Sequence, residues 1–251
     1  MKKMVCVAVV LLTVATAAFG EDFSLSVGAG SILGGTFTRY TLSAEGNIGG
    51  EVVRVSADQQ MNQFNYGFFA FFDATFGTLG IFFQNGVNNF REPLYADGRG
   101  GDQSGQGWES VLGISLMGRW PFRLSQRLSV FPMLGMDYHV SLRQERTQAD
   151  GWRYDRTDGE VEHDRYGNAF NLSDFNSFWV KLGGGMDLTV SGNFFVRGEL
   201  LYGFRLMTSH ERKSLDLLQY ELNASSPRLG GLTSGPSVRL SAGWRFFTRE
   251  R

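Results

Sequence analysis

The chain has few of the residues that staple a small domain or hold a metal. Its 251 residues include one cysteine, three histidines and five prolines. A single cysteine excludes an internal disulfide and a cysteine-rich metal site. The 24 basic and 25 acidic residues nearly cancel, so the charge gives no indication of nucleic-acid binding. Without staples, the domain must be stabilised by its fold alone.

The N-terminus predicts export. Lys2 and Lys3 precede an apolar run at 4–14, and small residues follow it. This order is that of a secretory signal peptide, so we predict a leader over residues 1–20, with cleavage after Ala17 as the alternative. The apolar run is shorter than the roughly 20 residues that a helix needs to cross a bilayer. Because the only cysteine lies in this leader, the mature chain has none.

Glycine and aromatic residues are abundant instead. The chain contains 33 glycines and 14% aromatic residues, a composition that suits long twisted strands. Glycine and asparagine interrupt the longest uncharged run after the leader, at 74–90, so no segment there resembles a transmembrane helix. A membrane-spanning role would therefore belong to strands.

Apolar and polar residues alternate in eight segments. In the last segment, Trp244 and Phe246 fall on one face of an extended chain, while Arg239 and Arg245 fall on the other. Short turns and long polar connections join the segments alternately, which is typical of an outer-membrane barrel. We predict an all-β, membrane-spanning, antiparallel up-and-down β-barrel of eight strands over residues 21–251. Its long extracellular loops are predicted at about 34–60, 88–108, 144–175 and 208–236.

The first long connection leaves the strand count open. Residues 36–45 and 53–57 also alternate between apolar and polar side chains. We favour the view that they extend the first two strands beyond the membrane or form a loop hairpin. The other possibility is that they add two strands to the wall. The second possibility would give a barrel of ten strands with the same orientation of the chain ends.

The architecture resembles that of the small outer-membrane barrels of diderm bacteria, the OmpA, OmpX and OmpW-like group. Locally, the final strand is similar to the C-terminal assembly signal of such barrels, although residues 248–251 follow it. The resemblance implies an outer-membrane location, contact with outer-membrane lipid, and assembly by periplasmic chaperones and the barrel-assembly machinery. It also implies a monomer with no cofactor and no metal. The signal residues are Leu240, Gly243, Trp244, Phe246 and Phe247.

Charged residues on the inward face form the first candidate site. An eight-stranded barrel leaves room for little more than side chains, and buried charges need partners. We therefore favour a salt-bridge network that fills the barrel. The alternative is a charged pore in which inward glycines leave gaps for water. The predicted lumenal network consists of Asp73, Arg119, Asp137, His139, Lys181, Asp187, Arg197, Glu199, Arg205, Arg239 and Arg245.

Outward aromatic residues near the strand ends predict two girdles at the membrane interfaces. On the periplasmic side these are Trp120, Phe194, Trp244 and Phe246, and on the outer side Phe64, Tyr138 and Tyr202.

Catalytic candidates are few. His139 and Ser141 are two residues apart and share a face, which is similar to the His-x-Ser pair of the lipid A deacylase barrels. The alternation places both inside the barrel, whereas a deacylase must present them to lipid. His163 and His210 lie in polar loops without a signature, and the acidic segment 155–164 lacks the spacing of a calcium loop. We expect no catalytic residue.

Three functions follow from these candidates. We favour a non-enzymatic outer-membrane protein with a structural or surface-interaction role, in which the long loops meet a host or surface ligand. A narrow channel for small solutes, as in OmpW-like transport, is the alternative. A lipid-modifying enzyme that uses His139 and Ser141 is the second alternative.

Overall fold

Eight long antiparallel strands make up most of the described chain. The computed structural model describes residues 23–48, 51–96, 99–148, 153–156, 162–163, 169–170, 172–206, 208 and 228–249. The predicted leader and His210 lie outside these ranges, and for His163 only the backbone is described. Within the same ranges, no helix combines the length and the apolar character that a membrane span requires.

The strands are numbered in chain order. They are β1 (Phe23–Ile48), β2 (Glu51–Ala74), β3 (Gly77–Ala96), β4 (Arg99–Arg119), β5 (Leu128–Gln148), β6 (Ser177–Ser191), β7 (Phe194–Arg205) and β8 (Arg228–Arg249). Two short strands, Phe122–Arg123 and Arg153–Arg156, pair with β5. The smallest elements are the strands Glu162–His163 and Ala169–Phe170, which pair with each other, and the 3-10 helix Leu172–Phe175.

The sheet closes into a ring. Each strand pairs with the next along the chain, and β8 returns to pair with β1 from Phe23↔Arg249 to Ser43↔Arg228. Closure satisfies the backbone groups that an open sheet would leave at its edges. The prediction of an antiparallel up-and-down barrel with eight strands is confirmed.

The two ends of the barrel differ. One end, called the short-turn end, carries both termini of the described chain and the turns at Thr75–Phe76, 120–127 and Gly192–Asn193. Gly192 has a φ of 51°, a left-handed conformation that glycine adopts without strain. The other end, called the long-loop end, carries the remaining connections.

Two of the predicted loops are in fact strand. β1 and β2 remain paired as far as Ile48↔Glu51, and β3 and β4 as far as Ala96↔Arg99. Residues 34–48 and 51–60 therefore extend β1 and β2, as favoured from the sequence. Residues 88–96 and 99–108 belong to β3 and β4, which corrects the prediction of a loop there. Polar side chains on both faces hide the alternation on which a strand prediction depends. The extension of β1 and β2 also decides the strand count in favour of eight.

The other two predicted loops are shorter than expected. β5 continues to Gln148, where Arg153–Arg156 pairs with it, and β8 already begins at Arg228.

Outward side chains form an apolar band around the barrel. On β2, Phe64, Phe68 and Phe72 are 57%, 70% and 38% exposed, and no charged residue lies between them. The distance from Phe64 to Phe72 along the strand is about 26 Å at 3.3 Å per residue. Strands in membrane barrels are tilted by about 35–45°, so this length spans about 20 Å of height between the two outermost rings, within the apolar band of about 25 Å that such barrels carry.

Phenylalanine rings fill the lumen opposite glycines on neighbouring strands. A Cβ built on any of four of these glycines would lie between 2.0 and 2.6 Å from the opposing ring. The rings therefore occupy the space that the glycines leave, and the gaps for water that the alternative of a pore requires are filled at these positions. The cross-strand pairs are Gly28 with Phe71, Gly113 with Phe82, Gly185 with Phe131 and Gly243 with Phe195.

We expect Gly113→Ala to lower the free energy of unfolding by about 1–3 kcal/mol, the usual cost of overpacking. The new methyl group would lie 2.0 Å from the Phe82 ring, which must shift. Gly118→Ala on the same strand is the matched control, because its Cβ would meet nothing closer than 3.5 Å. Urea unfolding in detergent micelles measures both, and equal effects would contradict the packing argument.

Candidate functional site

Arg197 lies at the centre of the lumen and is fully buried, with 0% of its surface exposed. Its Nε and Nη2 donate to the two carboxylate oxygens of Asp187 at 2.6 and 3.0 Å, and Nη1 lies 2.7 Å from Asp73 Oδ2. Arg119 Nη1 lies 3.3 Å from Asp73 Oδ2 and 3.6 Å from Asp187 Oδ2. Two cations and two carboxylates thus neutralise one another, and we call these four residues the Arg197 cluster.

Aromatic rings enclose the guanidinium of Arg197. Its Cζ lies 4.8 Å from the ring centre of Phe71, 5.1 Å from that of Phe195 and 5.3 Å from that of Phe131. These distances are in the range of cation-π contacts. The rings replace water around the charge, so its neutralisation depends on the two aspartates.

A second cluster lies around Asp137, towards the long-loop end. Lys181 Nζ lies 2.6 Å from Asp137 Oδ2, and Arg239 Nη2 donates to the same oxygen at 3.2 Å. His139 Nε2 lies 3.9 Å from it. We call these four residues the Asp137 cluster.

Glu199 joins the two clusters. Its carboxylate lies 3.8 Å from Arg197 Nη1 and 3.8 Å from Arg239 Nη1. The two clusters, Glu199 and the enclosing rings form one packed unit, which we call the plug.

Strand register places these partners side by side. Asp187 faces Arg197 directly across β6 and β7, and Glu199 faces Arg239 across β7 and β8. Cross-strand neighbours on one face of a sheet lie within side-chain contact. Asp73 reaches Arg197 differently, across the lumen from β2 to β7, which requires the closed ring.

The eleven predicted lumenal residues all lie on the inward face. Nine belong to the plug. Arg245 lies at the short-turn mouth, where Nη2 is 3.8 Å from Asp187 Oδ2 and Nη1 donates to Thr189 Oγ1 at 2.9 Å. Arg205 lies above the plug, where its Nη2 donates to Tyr40 Oη at 2.9 Å.

The aromatic part of the plug was not predicted from the sequence. Phe69 and Phe71 alternate with the outward Phe68 and Phe72 and share a face with Asp73, so strand parity alone indicates that they point inward. Consecutive phenylalanines concealed this, because both faces of β2 are apolar there. The other phenylalanine rings of the plug are Phe82, Phe131 and Phe195.

Six of the seven predicted girdle residues are exposed on the outer surface. Phe194 is the half-buried exception. Tyr138 Oη accepts a hydrogen bond from Asn176 Nδ2 at 3.4 Å, and Tyr202 Oη lies 3.0 Å from Ser234 Oγ, so both keep a polar tip, as expected at an interface. The six exposed residues are Phe64, Trp120, Tyr138, Tyr202, Trp244 and Phe246.

An outward polar network on β3 and β4 lies near the girdle residue Phe64. It was not predicted from the sequence. Trp108 Nε1 donates to Ser110 Oγ at 3.2 Å, and Ser110 Oγ donates to Asn85 Oδ1 at 2.7 Å. Tyr66 packs edge-on against Trp108, with ring centres 6.1 Å apart.

The predicted assembly signal contains a β-bulge. Leu25 faces Phe247 and Ser26 faces Arg245, so Phe246 is an extra residue on β8. Both phenylalanines are consequently exposed. Leu240 and Trp244 are exposed on the same wall, while Gly243 lies inside beneath Phe195.

The residues considered for catalysis lie inside the barrel. The His139 ring stacks on Trp179 at 5.5 Å and meets the edge of Phe82 at 5.0 Å. Ser141 Oγ accepts a hydrogen bond from Gln144 Nε2 at 3.4 Å. Among the described residues, no hydrogen bond joins His139 to Ser141.

A cavity of about 30 Å³ lies just above the plug, with His139, Trp179 and Glu109 in its lining. A water molecule needs at least about 10–15 Å³ of such space, so the cavity holds a very small group. In the described part of the chain, no three His, Cys, Asp or Glu side chains are arranged to hold a metal.

We expect Arg197→Ala to destabilise the barrel by about 3–5 kcal/mol, because it leaves Asp73 and Asp187 buried with too little positive charge. Arg54→Ala is the matched control, since Arg54 pairs with Glu45 at 3.4 Å but has a side chain that is 79% exposed. Exposed pairs contribute at most about 1 kcal/mol. Thermal unfolding, followed by the heat-dependent gel mobility of folded barrels, compares the two variants. Similar unfolding temperatures would refute the role of the plug.

No family model and no curated protein matches the chain. Among solved structures, it is similar to the attachment invasion locus protein Ail of Yersinia pestis, with 11% identity over 90% of this chain and 99% of that chain and a TM-score of 0.28. Neisserial surface protein A shows 10% identity over 87% and 99%, with a TM-score of 0.32. The outer membrane protein OprG from Pseudomonas aeruginosa shows 10% identity over 90% and 96%, with a TM-score of 0.34. The fold assignment rests on strand closure and the apolar band: the chain is an eight-stranded β-barrel with the architecture of the small outer-membrane barrels.

Proposed function

We propose that the protein is a non-enzymatic, integral outer-membrane barrel with a structural or surface-interaction role at its long-loop end. The observation that carries this proposal is the plug. Its four carboxylates each lie within 4 Å of a cation, and its rings pack over glycines. A filled lumen supports a rigid barrel with a structural or surface-interaction role rather than a channel for solutes.

The charge of the plug supports the same conclusion. Asp73, Asp137, Asp187 and Glu199 face four basic side chains, which are Arg119, Lys181, Arg197 and Arg239. The numbers of acidic and basic side chains within the plug are therefore equal, and Arg245 outside it lies 3.8 Å from Asp187. A channel lined for one sign of ion would carry an excess of the opposite charge.

The part of the wall beyond the apolar band is the proposed interaction surface. β1 continues from Phe37, the last exposed apolar residue of its band, to Ile48, about 36 Å of strand at 3.3 Å per residue. Exposed ion pairs, Arg39 with Asp58 and Arg54 with Glu45, lie on this extension. We propose that this hydrated part meets a host or surface ligand, since exposed loops and strand tips are where barrels vary and bind.

The aromatics of β8 and the ring of His139 bear on assembly and on catalysis. The exposed aromatics of β8 support recognition by periplasmic chaperones and the assembly machinery. Closure of the sheet within one chain supports a monomer. The enclosed ring of His139 between Phe82 and Trp179 supports a packing role for this histidine rather than a catalytic one.

A narrow channel is the second candidate, and the cavity above the plug favours it. Planar-bilayer recording distinguishes the two functions. We expect wild-type protein to give no steady conductance, and the double variant Arg197→Ala with Glu199→Ala to conduct, because it removes the centre of the plug. The double variant Arg54→Ala with Glu45→Ala is the matched surface control. A steady wild-type conductance would contradict the structural or surface-interaction role and favour the channel.

The orientation has its own test. A short peptide tag inserted between Ala96 and Arg99 should react with antibody on intact cells, because these ends of β3 and β4 lie at the long-loop end. A tag between Gly192 and Asn193, at the short-turn end, should react only after the outer membrane is permeabilised. The reverse pattern would overturn the proposed surface role, whether or not the lumen is plugged.

A further inference from the structure

Glu109 differs from the other lumenal carboxylates. It lies on β4 just above the plug, and its Oε2 accepts a hydrogen bond from Gln63 Nε2 at 3.0 Å. Among the residues that the structure describes, no lysine or arginine lies within 4 Å of it. Every carboxylate of the plug has such a cation. Within the described part of the chain, Glu109 therefore has an amide as its hydrogen-bond donor and no ion-pair partner within 4 Å.

This carboxylate lines the cavity of about 30 Å³. By the volume that one water requires, the cavity accepts about two water-sized groups. Trp179 contributes an aromatic lining, and the amide side chains of Asn65 and Gln84 contribute further polar atoms. His139 also lines it, and its Nε2 has no hydrogen-bond partner among the described residues.

One arginine, Arg205, also lines this cavity and contacts a residue of β1. Its Nη2 donates to Tyr40 Oη at 2.9 Å and its Cζ lies 5.9 Å from the Tyr40 ring centre. Its guanidinium is held against β1. It does not reach the Glu109 carboxylate within ion-pair distance.

We propose that this cavity binds a small primary ammonium group, with Glu109 as its counter-ion. An ammonium group is about the size of a water molecule and carries three N–H donors. Glu109 accepts one of them in a charge-assisted hydrogen bond. Asn65 Oδ1 already accepts from Gln63 Nε2 at 2.6 Å and keeps a second lone pair for the ammonium, and Gln84 lines the same cavity. Trp179, whose ring stacks on His139, adds aromatic lining. The ligand class is therefore a small amine that places its –NH₃⁺ group in this cavity, just above the plug.

The size of the cavity sets the specificity. A primary ammonium fits the space of two waters, whereas a quaternary ammonium is too wide and has no N–H to donate. A divalent metal finds only one carboxylate there, too few for the oxygen ligands that such ions require.

Methylammonium chloride is the probe, titrated calorimetrically into detergent-solubilised full-length protein at low ionic strength, with sodium chloride as the blank. We expect saturable binding to wild type and at least a tenfold loss of affinity in Glu109→Gln. Glu145→Gln is the matched control, because Glu145 lies on the neighbouring strand β5 and is paired with Arg143 at 3.0 Å. Its affinity should equal that of wild type. Tetramethylammonium should bind at least tenfold more weakly than methylammonium.

Heat-dependent gel mobility confirms that each variant is folded. The proposal is overturned if folded wild type shows no saturable binding of methylammonium, or if Glu109→Gln binds it as well as wild type does. Equal affinity for tetramethylammonium would place the cation on an open charged surface and would also reject the cavity as the site.

Discussion

A charge removed from water must be neutralised by its neighbours, and this constraint shapes the whole interior of the barrel. Eight strands enclose too little space for bulk water, yet the alternation that gives a lipid-facing wall sends every second residue inward. Arg197 shows the result, because two aspartates neutralise it and three phenylalanine rings surround it. The glycines opposite those rings provide the room. The wall, the plug and the cross-strand glycines are thus consequences of one requirement.

Much of the fold could be predicted from the chain alone. The alternation of Trp244 with Arg245 and its recurrence in other segments indicate inward and outward faces, and the sequence of short and long connections indicates eight strands. The inward placement of Asp187, Arg197 and Glu199 follows from parity. These features depend on local pattern, which the sequence displays directly.

Other features depend on geometry that no local pattern displays. The contact of Asp73 with Arg197 depends on the stagger of a closed ring, so the sequence shows both residues as inward but not as partners. The strands at 88–108 escaped prediction because polar residues occupy both of their faces, and the inward Phe69 and Phe71 because apolar residues occupy both of theirs. That Glu109 has no ion-pair partner among the described residues could be recognised only from the positions of the lysines and arginines around it. Sequence reasoning thus predicted faces well and pairings poorly.

The plug draws its residues from strands that lie far apart in the chain, since Asp73 is on β2, Arg119 on β4 and Arg197 on β7. Asp73 on β2 meets Arg197 on β7 only when these strands lie on facing walls of the ring. In an incomplete ring these ions would lack partners, and unpaired ions are costly in hydrocarbon. The charge network therefore ties the stability of each strand to the closure of the whole ring.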